Sequence, residues 1–76
     1  MSIDDEIRAH LQRLNVVPLL GGLVPENATA EMLGYAPSYF RRLAAAGNPP
    51  LSYGRRGNRR FYKIVDISRF ATDTVQ

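Results

Sequence analysis

The sequence predicts a small, mainly α domain that carries one β-hairpin, and three observations lead there. Apolar residues recur at helical spacing in several short stretches, glycine and proline mark sharp stops between them, and an aromatic run follows a glycine–arginine loop. With 76 residues, a chain buries only about 60% of its unfolded surface, so it builds one modest core. It has no cysteine and a single histidine, His10, which excludes disulfide staples, thiolate zinc sites and histidine-cluster metal sites. Hydrophobic residues at 45% and charged residues at 22% are globular proportions, not those of a disordered chain. No apolar run approaches the roughly 20 residues of a membrane span. The first residues lack the basic and apolar regions of a signal peptide, so the reading is cytoplasmic.

Taken in order, residues 2–14 read as an amphipathic helix. Ser2 and Asp5 have the form of a capping box, and Asp4, Asp5 and Glu6 place negative charge in the first turn. Ile3, Ile7, Leu11 and Leu14 form its apolar stripe. A free helix this short is marginal in water, so it docks either on its own domain or on a second copy. Residues 16–24 are apolar but broken by Pro18, Gly21 and Gly22, and read as a linker. Pro25 begins a short helix over 26–33, with Ala30 and Leu33 inward and Gly34 ending it. Pro37 opens a further helix that Gly47 closes; Phe40, Leu43 and Ala44 make its inner face, and Ser38, Tyr39, Arg41, Arg42 and Ala45 look outward.

Asn48, Pro49 and Pro50 break that helix. Strands are expected at 51–53 and 59–64 around the loop 54–58, GRRGN. Strand alternation sets Arg60, Tyr62 and Ile64 on one face and Phe61 and Lys63 on the other. Which aromatic is buried is left open, with Tyr62 and Ile64 preferred. Asp66 starts a last short helix with Ile67 and Phe70 at i, i+3, and residues 72–76 read as a frayed tail. The expected organisation is therefore a helix (1–15), a linker (16–24), a domain (25–71) and a tail.

Charge is divided along the chain. Residues 1–34 hold two arginines against five carboxylates, a net of −3, while residues 35–76 hold eight cations against two carboxylates, a net of +6. Nearly all these cations are arginine, which suits bidentate contact with phosphate and guanine. A polyanion partner for the second half is the expectation; a solvated basic face is the alternative. Two short helices about a glycine-containing turn make a helix-turn-helix. In that geometry Ser38, Tyr39, Arg41 and Arg42 sit at the end of the helix that reaches base edges in a major groove. Tyr39 is as readily a core or dimer contact. Arg55, Arg56, Asn58, Arg59, Arg60 and Lys63 decorate the hairpin, whose arginines match the negative potential of a narrow minor groove. A basic hairpin that merely avoids edge aggregation is the other reading. Nothing points to catalysis: His10 has only Glu6 nearby on its helix, and no phosphate loop, dinucleotide fingerprint or metal-ligand spacing occurs.

The stretch from Val24 to Ala71 resembles MerR-like winged-helix DNA-binding domains of the AlpA and phage-excisionase type. The residues carrying the resemblance are ATAEMLG (28–34), APSYFRRLAAAG (36–47), NPPLSYGRRGNRRFY (48–62) and VDISRF (65–70). Ala36 stands where the pattern has a Ser or Thr cap, Tyr35 is bulky, and the first helix lies outside the pattern. The resemblance implies a winged helix-turn-helix that binds double-stranded DNA without chemistry or cofactor of its own. It also implies an excisionase of a phage or mobile element, working in a bacterial or phage-infected cell with an integrase and in adjacent copies on DNA. A small transcriptional regulator, or a DNA-packaging or protein-interaction adaptor, are the other roles. Self-association through Ile3, Ile7, Leu11 and Leu14 remains an option in any of them.

Overall fold

The structure is a computed structural model that describes residues 2–74, the side chain of Thr74 excepted. Four helices pack around a three-stranded antiparallel sheet in the order α1 (Ile3–Arg13), β1 (Leu23–Pro25), α2 (Glu26–Leu33), α3 (Pro37–Ala45), β2 (Gly54–Arg56), β3 (Arg59–Lys63) and α4 (Ile64–Thr74). The capping box of α1 forms as its sequence predicts. The Asp5 N–H donates to the Ser2 hydroxyl at 3.2 Å, and the Ser2 N–H donates to the Asp5 carboxylate at 3.4 Å.

Three helices end in the same way. After α2, Gly34 takes φ 87°, its N–H donates to Glu31, and the Tyr35 N–H donates to Ala30 at 2.8 Å. This is a Schellman turn, and it needs a residue that tolerates the left-handed region. Asn15 after α1 and Gly47 after α3 hold the same place, with the following N–H groups closing on Leu11 and Leu43. The reversal at Gly34 swings α3 across α2. Ala36 caps α3 in extended backbone without any side-chain hydrogen bond. Instead the Tyr35 ring meets Phe40 at 5.5 Å, a hydrophobic staple across the helix start that fixes the entry angle a Ser or Thr cap would otherwise help to set.

The expected linker at 16–24 is corrected. Its last residues form β1, which pairs with β3 in the register Leu23–Lys63, Val24–Tyr62 and Pro25–Phe61. The glycines that suggest a linker make the turn entering this strand: Gly22 donates to Leu19, and its carbonyl accepts from the Ile64 N–H at 2.9 Å. The hairpin is also shorter than expected. Residues 51–53 are not a strand, and β2 begins at Gly54, pairing Gly54–Phe61, Arg55–Arg60 and Arg56–Arg59. Only Gly57 and Asn58 turn, with Gly57 at φ 64° and Asn58 outside the positive-φ region, the pattern of a II′ hairpin turn. Arg55 and Arg56 are thus strand residues rather than loop residues.

Both aromatics of β3 are buried: Tyr62 is 0% exposed and Phe61 is 5% exposed. Tyr62 shares the helix-facing core with Val24, Phe40 and Ile67, whereas Phe61 alternates onto the other face, where the Arg59 guanidinium lies 5.7 Å from its ring. Ile64 is buried as preferred, but as the first residue of α4. That helix reaches Thr74, so the expected tail is helical through that residue; residues 75–76 lie outside the described chain.

The first helix is not a separate unit. It packs on α4 and α2, and Ile7 and Leu11 are buried in the same core as Val24, Phe40 and Tyr62, with Ile3 and Leu14 packed against it. The docking is therefore in cis, and Ile3, Ile7, Leu11 and Leu14 are occupied in their own chain instead of being offered to a second one. Among the described residues no helix is long and apolar enough to cross a membrane.

Candidate nucleic-acid interface

The outward face of α3 is as the periodicity predicts: Ser38, Tyr39, Arg41, Arg42 and Ala45 are all exposed, while Phe40 and Ala44 are buried. Beside it stands the β2–β3 hairpin. Arg41 shares one groove with Asn58, Arg59 and Arg60 of the hairpin and with Glu26 and Asn27 at the start of α2. The exposed side of α3 and the hairpin turn thus border a common surface.

The hairpin concentrates like charge. Its register sets Arg55 opposite Arg60 and Arg56 opposite Arg59, two cross-strand arginine pairs on adjacent rungs. Like charges directly opposite one another destabilise a ladder. One of the four guanidinium groups is neutralised within the fold. Arg60 Nε donates to the Glu26 carboxylate at 2.8 Å and its Nη2 to the other carboxylate oxygen at 3.3 Å, and the Tyr62 hydroxyl donates to the same carboxylate at 2.8 Å. Arg60 and Glu26 are both largely buried. The carboxylate raises the Arg60 pKa, and burial together with the hydrogen bond to Glu26 pushes the Tyr62 hydroxyl well above the ordinary phenol range. The Arg60 guanidinium also lies 5.8 Å from the Tyr53 ring.

Arg60 is therefore removed from the set of free hairpin cations. It is a structural arginine that clamps β3 to the start of α2, and its partner lies 34 positions away, beyond the reach of sequence patterns. Arg55, Arg56 and Arg59 remain exposed, as do Asn58 in the turn and Lys63 at the end of β3. Among the described residues, none of Arg41, Arg42, Arg55, Arg56, Arg59 and Lys63 has a carboxylate partner; the only other ion pair joins Arg69 to Asp66 at 3.8 Å on α4.

A feature missed by sequence reasoning is an aromatic column at the start of α3. Tyr35 and Tyr39 stack with centroids 5.8 Å apart and planes 25° apart, and the Arg42 guanidinium lies 5.6 Å from the Tyr39 ring. The i, i+4 and i, i+3 spacing of these three residues was the available signal. His10 is exposed on α1, and among the described residues no group of three or more His, Asp or Glu side chains is arranged to hold a metal ion. Comparison of the chain with protein-family models, curated proteins and solved structures finds no match, so the chemistry of this surface rests on its own residues.

Proposed function

We propose that the chain is a winged helix-turn-helix protein that binds double-stranded DNA, with α3 in the major groove and the β2–β3 hairpin as a wing along the adjacent backbone and minor groove. The observation that carries this reading is the set of exposed cations on α3 and the adjoining hairpin, Arg41, Arg42, Arg55, Arg56, Arg59 and Lys63, none of which has a carboxylate partner among the described residues. With Arg60 already held by Glu26, the Arg56–Arg59 rung still sets two free like charges opposite one another, an unfavourable pairing that a bound anion relieves. A polyphosphate backbone supplies a row of anions, and a nine-residue helix with an exposed polar face fits a major groove. In this reading Arg42 takes the guanine-edge contact, Arg41 and Ser38 the phosphates flanking the helix, and Arg55, Arg56, Arg59, Asn58 and Lys63 the wing contacts. The protein is a binder without chemistry of its own.

The order of motifs from Val24 to Ala71 supports an excisionase role, in which the protein shapes an attachment site for an integrase. A transcriptional regulator with the same fold would bind DNA by the same surface, and co-purification of an integrase against repression of a promoter separates the two. An interaction module docking through the first helix would need a different surface, because Ile7 and Leu11 are buried.

The test is fluorescence anisotropy on a random-sequence duplex of about 30 base pairs, titrated across salt. The reading expects log K to fall against log salt with a slope worth roughly five or more phosphate contacts. Arg55→Ala, Arg56→Ala and Arg59→Ala should each lower that slope by about one. Absence of binding at about 50 mM salt, where phosphate contacts are strong, sinks it.

A further inference from the structure

We infer that Tyr39 is a specificity-determining residue that reads the C5-methyl group of a thymine, next to a guanine held by Arg42; the inference rests on the DNA-binding reading above. Tyr35 and Tyr39 are 38% and 39% exposed, and Tyr39 lies outside the apolar core. Tyr35 has a structural task in its contact with Phe40, but Tyr39 has none of that kind. It is a large ring at the surface, stacked with Tyr35 and with the Arg42 guanidinium 5.6 Å from its centroid. A side chain ordered before binding loses little rotamer freedom on binding, so it is suited to recognition.

The chemistry of the groove selects the ligand. In the major groove thymine alone of the four bases presents a methyl group, and guanine presents two acceptors that match a guanidinium fork. An apolar ring suits the first and Arg42 the second. The 5.6 Å between the Arg42 guanidinium and the Tyr39 ring brings both groups to the same or a neighbouring base pair.

The experiment selects a preferred duplex from a random pool with the wild-type chain, then replaces each thymine in turn by deoxyuridine, which removes only the methyl group. Wild type should lose about fourfold in affinity at one thymine, the worth of one buried methyl group. Tyr39→Phe, which keeps the ring, should lose the same; Tyr39→Ala should bind the thymine and deoxyuridine duplexes equally. A thermal melt of each variant shows that it is folded, which the exposure of Tyr39 favours. Indifference of wild type to every replacement, or an unchanged loss in Tyr39→Ala, overturns the inference while a steep salt slope leaves DNA binding standing. Failure of the pool to yield a preferred sequence overturns it as well. A change of sedimenting mass in Tyr39→Ala with the thymine preference intact makes the tyrosines a contact between copies and also overturns it. Loss of all duplex binding by wild type at low salt would instead bring down the DNA reading itself.

Discussion

Glu26 is the residue on which the candidate surface depends, although it is an acid on a basic face. It holds Arg60 and Tyr62 together, and neither partner has a second carboxylate among the described residues. Glu26→Ala should cost about 2–3 kcal/mol, because it strands a mostly buried guanidinium and a buried hydroxyl, and chemical denaturation measures it. Tyr62 adds a pH dependence. Its folded pKa is raised, so the folded state keeps a proton that the unfolded chain releases. The associated stability is whole below the ordinary phenol pKa of about 10 and is lost as pH climbs above it. Tyr62→Phe should flatten that alkaline decline; an unchanged decline in the variant would place its origin elsewhere. The six exposed cations were legible in the sequence from residue type and density, whereas the withdrawal of Arg60 from that set was not. Its partner comes from a helix half the chain away, and only the fold brings the two within 2.8 Å.

At the scale of elements, the first three helices were legible because they carry local starts or stops: Ser2 and Asp5, Pro37, Gly34 and Gly47 act within a turn of where they stand. By contrast, α4 begins at Ile64, two residues before the Asp66 start that the sequence suggests, and runs on to Thr74. The first strand was not legible. Three residues are too few to show alternation, and Gly21 and Gly22 resemble a linker unless the partner strand is known. The start of α3 offers a direct check on local control. Ala36→Ser supplies the absent cap in a backbone that is already extended, and should stabilise the protein by about 1 kcal/mol. For a domain of this size that is a rise in Tm of roughly 4–8 °C by calorimetry. Tyr35→Ala removes the staple to Phe40 and the stack on Tyr39 together, and should lower stability by about 1 kcal/mol. A neutral result would show that the Gly34 turn alone sets the entry of α3.

The whole molecule is more unified than its composition suggests. Charge divides the sequence near residue 34, and a linker seemed to set the first helix apart, yet the core runs through both halves. Ile7 and Leu11 pack with Val24, Tyr62, Ile64 and Ile67. A chain of this size has too little core to give any up. Removing residues 1–15 should therefore abolish cooperative unfolding as followed by circular dichroism, and with it any duplex affinity. A truncated protein that melts sharply would restore the picture of a detachable helix.

The strand order β1-β3-β2 also bears on how the chain comes into being. The strand at the centre of the sheet is the last of the three to be synthesised, and Val24 waits for Tyr62, 38 positions later. While a ribosome is still making residues 54–63, β1 has no neighbour and Ile7, Leu11 and Phe40 have no completed core to enter. Nascent α1 and α2 can form only fleeting turns, since short helices without tertiary contacts are marginal. Folding is in this sense deferred: the arginine hairpin and the central strand that supports it arrive together, so the basic surface takes shape in the same step that makes the protein a folded one.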